Sequence, residues 1–148
     1  MEDIRDAETD AEIQRCFPVM RQLRPHLVED DFVRKVRRQM AADYHLALLT
    51  DDGEVRSVAG YRFLENLYSG PHLYVDDLVT DSARRSRGYG ERLFDWLEER
   101  ARAAGCRTLE LDSGVQRHAA HRFYLVRRMV ISSHHFRLIL DEAEPSGR

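Results

Sequence analysis

Cysteine is scarce in this chain: Cys16 and Cys106 are the only two in 148 residues, and neither belongs to a Cys-x-x-Cys pair. That excludes a disulfide framework and suits two unbridged thiols in a reducing compartment. No run of 18 apolar residues occurs, so no membrane-spanning helix is expected. The opening MEDIRDAETDAEIQ is acidic where a secretory signal would be basic and then apolar, so the protein is expected in the cytoplasm. Charge of one sign is missing too. With 23 Lys and Arg against 26 Asp and Glu the formal net charge is -3, so nucleic acid or an anionic membrane would need a local patch. Neither is expected as a partner.

With 43% hydrophobic and 33% charged residues, the chain has the composition of one globular domain covering residues 1–148. Residues 3–7 read as a short strand. A helix follows from Thr9 or Asp10, with Ile13, Cys16, Phe17, Met20 and Leu23 at helical spacing, and ends near Arg24-Pro25. A second amphipathic helix is expected over residues 30–43. Residues 46–49 and 55–63 read as strands joined by a tight turn at Asp51-Asp52-Gly53, because Asp-Gly supplies the positive φ that short hairpin loops need. A loop over residues 66–71 leads into a strand over 73–80. Residues 88–104 form the most strongly periodic helix, with Leu93, Trp96, Leu97 and Ala101 on one face and Gly105 as its stop. A strand at 108–111, a turn at Asp112-Ser113-Gly114, a helix around 117–127, a strand from about 131 to 140 and a polar tail complete the chain. The order β-α-α-β-β-β-α-β-α-β implies an α/β fold with a mixed sheet and helices on its faces.

The stretch from Tyr74 to Ala104 organises the rest. A short apolar strand is followed by an arginine-studded loop, Arg85-Ser86-Arg87-Gly88-Tyr89-Gly90, and then by the long helix. Glycines just before a helix let backbone approach a ligand, and the first helical turn offers unpaired N–H groups and a partial positive charge, together an anion site suited to phosphates. The common phosphate motifs do not fit: a dinucleotide fingerprint lacks its third glycine, and no Gly-Lys-Ser/Thr follows. What remains is Arg-x-x-Gly-x-Gly between strand and helix.

That pattern resembles the pyrophosphate-binding loop of the GNAT superfamily of acetyl-CoA-dependent N-acetyltransferases. The likeness extends over residues 73–128, where strand, loop, helix, strand and a helix bearing Phe123-Tyr124 follow in the family's order. Tyr74-Val75-Asp76-Asp77-Leu78 is similar to the Tyr-Leu-Glu-Asp-Phe stretch of the spermidine/spermine acetyltransferases. The resemblance implies a mostly antiparallel sheet splayed at the CoA-binding strand and acetyl-CoA as cosubstrate. It implies that backbone groups of Leu78, Val79 and Thr80 bind the pantetheine arm like an added strand, while N–H groups of Arg85, Ser86, Arg87, Gly88, Tyr89 and Gly90 cradle the pyrophosphate. Arg85 or Arg87 can add a charge-assisted contact. It leaves a homodimer open.

Acetylation of an amine by direct attack in a ternary complex requires a neutral nucleophile, oxyanion stabilisation and a proton for the leaving thiolate. An alkyl amine with a pKa of about 10 must lose a proton, and Asp76, at the acidic position of the similar stretch, is the expected base, directly or through water. In a regular strand it shares a face with Tyr74 and Leu78, with Asp77 opposite. By the resemblance Tyr124 sits where the family places a tyrosine near the CoA sulfur and is the expected acid; a main-chain N–H near Val79 would meet the oxyanion. There are two departures from the family: Arg117 stands where Asn is frequent, and Arg128-Met129 where Gly-Phe is frequent. A non-catalytic acyl-CoA-binding or sensing module is the alternative that keeps the loop without the chemistry.

Other residues that draw the eye have plain readings. His118 and His121, three apart on a helix, and His134-His135 lack acidic or thiolate ligands at matching spacing, so no metal site is expected. Nothing near Cys106 in sequence is arranged to activate it. The basic run at residues 34–38 reads as a solvated helix face. The expected acceptor pocket, roughly residues 17–31 and 64–72, mixes charges too evenly to select among small-molecule and protein amines.

Overall fold

The computed structural model describes residues 1–141; residues 142–148, most of the polar tail, lie outside the described residues. The elements run β1 (Glu2–Asp6), α1 (Asp10–Leu23), α2 (Glu29–Met40), β2 (Tyr44–Asp51), β3 (Glu54–Asn66), β4 (Gly70–Thr80), α3 (Tyr89–Ala103), β5 (Thr108–Leu111) and α4 (His118–Val126). The chain divides into two compact units at the end of β5: one runs from Met1 to Leu111, the other begins at Asp112.

In the first unit the five strands lie in the order β1-β2-β3-β4-β5. The first four are mutually antiparallel and β5 joins β4 in parallel. Strand β2 shows why the sheet needs helices on both faces. Leu46 and Leu48 bury against α1 and α2 with Ile13, Phe17, Met20, Phe32 and Val36, while Ala47 and Leu49 bury against α3 with Tyr89, Leu93 and Leu97. Alternate residues of one strand thus enter separate apolar layers, and the strand reads as an unbroken apolar run.

The local signals act as their chemistry dictates. Thr9 and Glu12 form a capping box at the start of α1, and the Glu12 carboxylate also accepts from the Glu8 N–H at 2.8 Å. Asp52 and Gly53, at φ 51° and 77°, make the two-residue β2–β3 turn in which both central residues need positive φ. Beyond Asn66 the β3–β4 connection is tighter than the expected loop: β4 begins at Gly70, and Asn66 Oδ1 accepts from the Ser69 N–H at 2.6 Å.

In the second unit α4 forms as expected, but the strand expected over residues 131–140 does not. These residues adopt no regular secondary structure, and Ile131, Phe136, Leu138 and Leu140 are 76%, 91%, 83% and 90% exposed. The reason is general. A β-favouring pattern becomes a strand only where another edge supplies ladder partners, and among the described residues none pairs with this segment.

Candidate functional site

The exit from β4 is pinned before the glycine loop begins. Asp81 Oδ1 accepts from the Ala83 N–H at 3.2 Å and from Gln22 Nε2 at 3.1 Å, and Gln22 Oε1 accepts from the Ser82 N–H at 2.8 Å. The Gln22 contact is the first reason that the Asp81 carboxyl is held below its ordinary pKa. After a single 3-10 turn at Ser82–Arg84, Arg85 is extended, Ser86 turns to φ 65° and Gly88 to φ 79°, and α3 starts at Tyr89. Two positive-φ residues within three make a tight turn whose backbone a ligand can approach closely. No side chain caps the start of α3, and its first helical bond runs from the Arg92 N–H to Gly88 O at 3.0 Å. The N–H groups of Tyr89, Gly90 and Glu91 thus head the helix dipole without an intrahelical acceptor.

A side chain is disfavoured at Gly88. A Cβ would meet Arg92 Nη1 at 2.7 Å and Glu91 Oε2 at 3.0 Å, on a backbone that disfavours any L side chain. The Arg85, Ser86 and Arg87 side chains are exposed, whereas Tyr89 is buried and its hydroxyl donates to Asp51 Oδ2 at 2.6 Å. That bond holds the Asp51 carboxyl below, and the Tyr89 phenol above, its usual range.

Beside the loop lies an open strand edge. Strand β4 runs to Thr80, but β5 pairs with it only from His72 to Val75. Over residues 77–80 the outer edge of β4 carries no ladder partner among the described residues. The Asp81 N–H donates to Arg56 O at 2.8 Å, which sets the phase of the β3–β4 ladder: Val79 is hydrogen-bonded back to Val58, against the expectation for it, and Leu78 and Thr80 present main-chain groups where an extended ligand arm could add as a strand. Leu78 packs toward α3 and Val79 toward α1 and α2; Val79 O and Thr80 Oγ1 lie 2.9 and 3.1 Å from Ser57 Oγ.

The same strand carries a bulge that changes the expected arrangement of the two aspartates. Gly60 faces Asp77 and Tyr61 faces Val75, which leaves Asp76 as the extra residue. Both carboxylates consequently turn to the α1–α2 face, rather than to opposite faces, and Leu78 lies on the other. Asp77 accepts from Arg24 Nε and from the Tyr44 hydroxyl, each at 2.9 Å, and Arg24 Nη2 donates to Asp76 O at 3.0 Å. The Asp76 carboxylate pairs with Arg62 Nε at 2.9 Å, and the Arg62 guanidinium lies 5.1 Å from the Tyr44 ring centroid and donates to Gln39 Oε1 at 2.8 Å. Burial first, then the Asp77 charge, keeps the Tyr44 phenol protonated far above its usual range, so it serves as donor.

Tyr44, Gly60, Arg62 and Arg92 carry no motif in the sequence, which shows Arg24 only as a helix end and a member of the mixed-charge acceptor region. Only Gly60 carried a local signal, since glycine inside a strand marks a bulge or a close approach. A Cβ there would overlap the Tyr44 hydroxyl.

In the second unit, Tyr124 lies half-buried on α4 with its ring edge-on to Phe123, centroids 5.6 Å apart. Its carbonyl accepts from the N–H groups of Arg127 and Met129, both at 3.1 Å, and closes the helix. Arg128 then takes φ 69°, the left-handed position glycine would fill without strain. Arg117 precedes the helix with no side-chain cap, where an asparagine could have supplied one. His121 Nε2 lies 2.7 Å from Gly114 O, and among the described residues no group of three or more His, Cys, Asp or Glu is placed to hold a metal ion.

The sequence and the fold have counterparts among known proteins. Residues 7–128 match the family model described as Acetyltransferase (GNAT) family. The chain is 35% identical over 109 residues to the uncharacterized N-acetyltransferase YhdJ of Bacillus subtilis, covering 73% of this chain and 77% of that protein. It is 33% identical over 94 residues to an aminoalkylphosphonate N-acetyltransferase of Salmonella typhimurium, covering 63% of this chain but only 60% of that one. Among solved structures, the aminoglycoside N-acetyltransferase AAC(6')-Iy in complex with CoA superposes with a TM-score of 0.77 at 15% identity, over 97% of this chain and 95% of that one, a likeness of fold.

Proposed function

The chain belongs to the acetyltransferase (GNAT) family of acetyl-CoA-dependent acyltransferases, and on that premise we propose that it acetylates the primary amine of a small-molecule or protein acceptor by direct attack in a ternary complex. One observation carries the reading: an uncapped helix start behind a positive-φ loop directly follows a strand whose last residues have an open edge.

The residues present fit acetyl-CoA. The N–H groups from Arg85 to Gly90 would hold its pyrophosphate, with Arg85 or Arg87 adding charge, and the outward main-chain groups of Leu78 and Thr80 on the β4 edge would hold the pantetheine arm. When bound, acetyl-CoA supplies an activated acetyl thioester. The Leu78 N–H, next to Val79 and turned to the open edge, would meet charge that develops on the acyl oxygen, a contribution of about 10²–10³-fold where such donors have been removed. Asp76 would take the acceptor's proton, directly or through water, while Arg62 holds its carboxylate in place. Tyr124 would return a proton to the departing sulfur; transfer from a phenol of pKa about 10 to a thiolate whose thiol has a pKa of about 8.5 runs uphill by about 2 kcal/mol, a cost small beside the barrier of the step. The free thiols Cys16 and Cys106 support a reducing, cytoplasmic setting.

The test begins with thermal unfolding in acetyl-CoA, NAD and ATP, where a ligand at 100 times its Kd stabilises by about 2.7 kcal/mol. Acetyl-CoA alone is expected to respond. CoA release is then followed with a panel of amines that includes aminoalkylphosphonates, in wild type, Asp76→Asn and Tyr124→Phe. Both variants are expected to lose about 10²-fold or more in kcat while still binding acetyl-CoA. A folded protein with no acetyl-CoA response would sink the proposal; binding without amine-dependent CoA release would leave a binding module in its place.

A further inference from the structure

The useful groups of the glycine loop are backbone N–H groups, and a backbone N–H cannot be aimed by its own side chain. In a trans peptide the C=O and the following N–H point in opposite directions, and no peptide among the described residues is cis. Whatever holds the carbonyl of one residue on one side of the loop therefore presents the N–H of the next on the other side.

Arg92, one turn into α3, does this to the Arg87–Gly88 peptide. Its Nη2 donates to Arg87 O at 3.1 Å and to Glu2 Oε1 at 2.6 Å, and its Nε lies 2.6 Å from Glu2 Oε2. The guanidinium also lies 5.1 Å from the ring centroid of Tyr89, whose hydroxyl is tied to Asp51 at the end of β2. Two strands thus brace the helix start: β1 through Glu2 and β2 through Asp51. The absent side chain of Gly88 makes room, since its Cβ would stand 2.7 Å from Arg92 Nη1.

We infer that Arg92, clamped by Glu2, is a positioning residue for acetyl-CoA: it fixes the Arg87 carbonyl on the far side of the loop so that the Gly88 N–H faces the pyrophosphate. The inference rests on the pyrophosphate reading above. Arg92 touches no reacting atom, and its effect falls on donor binding, not on the chemical step. Its planar fork reaches a carbonyl and a carboxylate together, which a lysine ammonium cannot do in one geometry.

The experiment compares acetyl-CoA with S-acetylpantetheine, which has the thioester and the arm but no pyrophosphate, in wild type, Arg92→Met, Arg92→Lys and Glu2→Gln. Methionine keeps an apolar stem over Tyr89, and thermal unfolding confirms that each variant folds. In Arg92→Met the KM for acetyl-CoA is expected to rise at least about tenfold, the scale of one charge-assisted contact, with kcat at saturating donor within about twofold. Arg92→Lys and Glu2→Gln should lie between it and wild type. The KM for S-acetylpantetheine should not change. An unaltered KM for acetyl-CoA, or an equal loss with both donors, would overturn the inference. If wild type itself uses the two donors equally well, the pyrophosphate reading fails first, and that result is distinct from either.

Discussion

Gly60→Ala should be among the most damaging single-methyl changes available to this protein. Gly60 lies opposite Asp77 beside the β4 bulge, and a Cβ built there would overlap the Tyr44 hydroxyl. Tyr44 cannot swing away: it is 5% exposed, packed in the α1–α2 layer and covered by the Arg62 guanidinium. Overpacking of this kind costs about 1–3 kcal/mol. Losing the Tyr44 bond to the Asp77 carboxylate adds about 1.5–3 kcal/mol, because a hydrogen bond to a charged group is involved. A total of about 3–5 kcal/mol follows, which for a chain of this size lowers Tm by about 6–20 °C. Urea and thermal unfolding of wild type, Gly60→Ala, Tyr44→Leu and the double variant would measure it. In the Tyr44→Leu background the Tyr44 atoms are gone and only Asp77 Oδ2, 2.5 Å from the Cβ, still has to give, so Gly60→Ala should cost at least about 1 kcal/mol less there. The reasoning is refuted if Gly60→Ala costs the same in both backgrounds, or under about 1 kcal/mol in wild type.

Two further substitutions test the cap of α1 and the loop. The Glu12 carboxyl is held at about 2, well below its ordinary 4.5, first by the Glu8 N–H, then by the Thr9 N–H and Arg5. Because the folded-state pKa is depressed, its stabilisation is complete above about 4.5 and disappears as pH falls toward 2. Glu12→Gln should therefore unfold more easily than wild type at pH 7, with a gap that closes over that window; a gap constant from pH 7 to 2 would contradict it. Gly88→Ala forces an L side chain to φ 79° and pushes on Arg92, so it should lose about 1–2 kcal/mol of stability and bind acetyl-CoA more weakly. Isothermal titration beside thermal unfolding reads both, and unchanged affinity would count against the loop.

Much of the fold was legible because its signals are local. Thr9 with Glu12, Asp52-Gly53 and the spacing of Leu93, Leu97 and Ala101 each specify a cap, a turn or a buried face within a few residues. The loop was legible for the same reason: two glycines, a preceding strand and a following helix are consecutive. The partners of Asp76 and Asp77 were not. Their orientation depends on a bulge set by pairing with β3, and on Arg24, Tyr44 and Arg62, which lie 53, 33 and 14 residues away from the aspartates they bind. Alternation along β4 taken alone puts the two carboxylates on opposite faces, and the single extra residue brings them together. The strand expected at residues 131–140 failed for the converse reason: its pattern was present, but among the described residues no strand pairs with it.

The bulge and the loop share one device. At each, an arginine grips a main-chain carbonyl and a carboxylate at once, across a long stretch of chain: Arg24 holds Asp76 O and Asp77, and Arg92 holds Arg87 O and the remote Glu2. A carbonyl with a charged donor on it is expensive to turn over, so the peptide behind it keeps one orientation without help from a ligand. The two gripped peptides stand at opposite ends of the path from the β4 bulge to the start of α3, the path along which the proposed acetyl-CoA would lie. Binding that relies on main-chain donors is tight only when they are fixed beforehand, since any freedom left in the loop must be lost on binding. The hexapeptide Arg-x-x-Gly-x-Gly supplies donors that can approach an anion. Whether they are already aimed depends on residues 53 and 90 positions apart in the chain, which no motif of six residues contains.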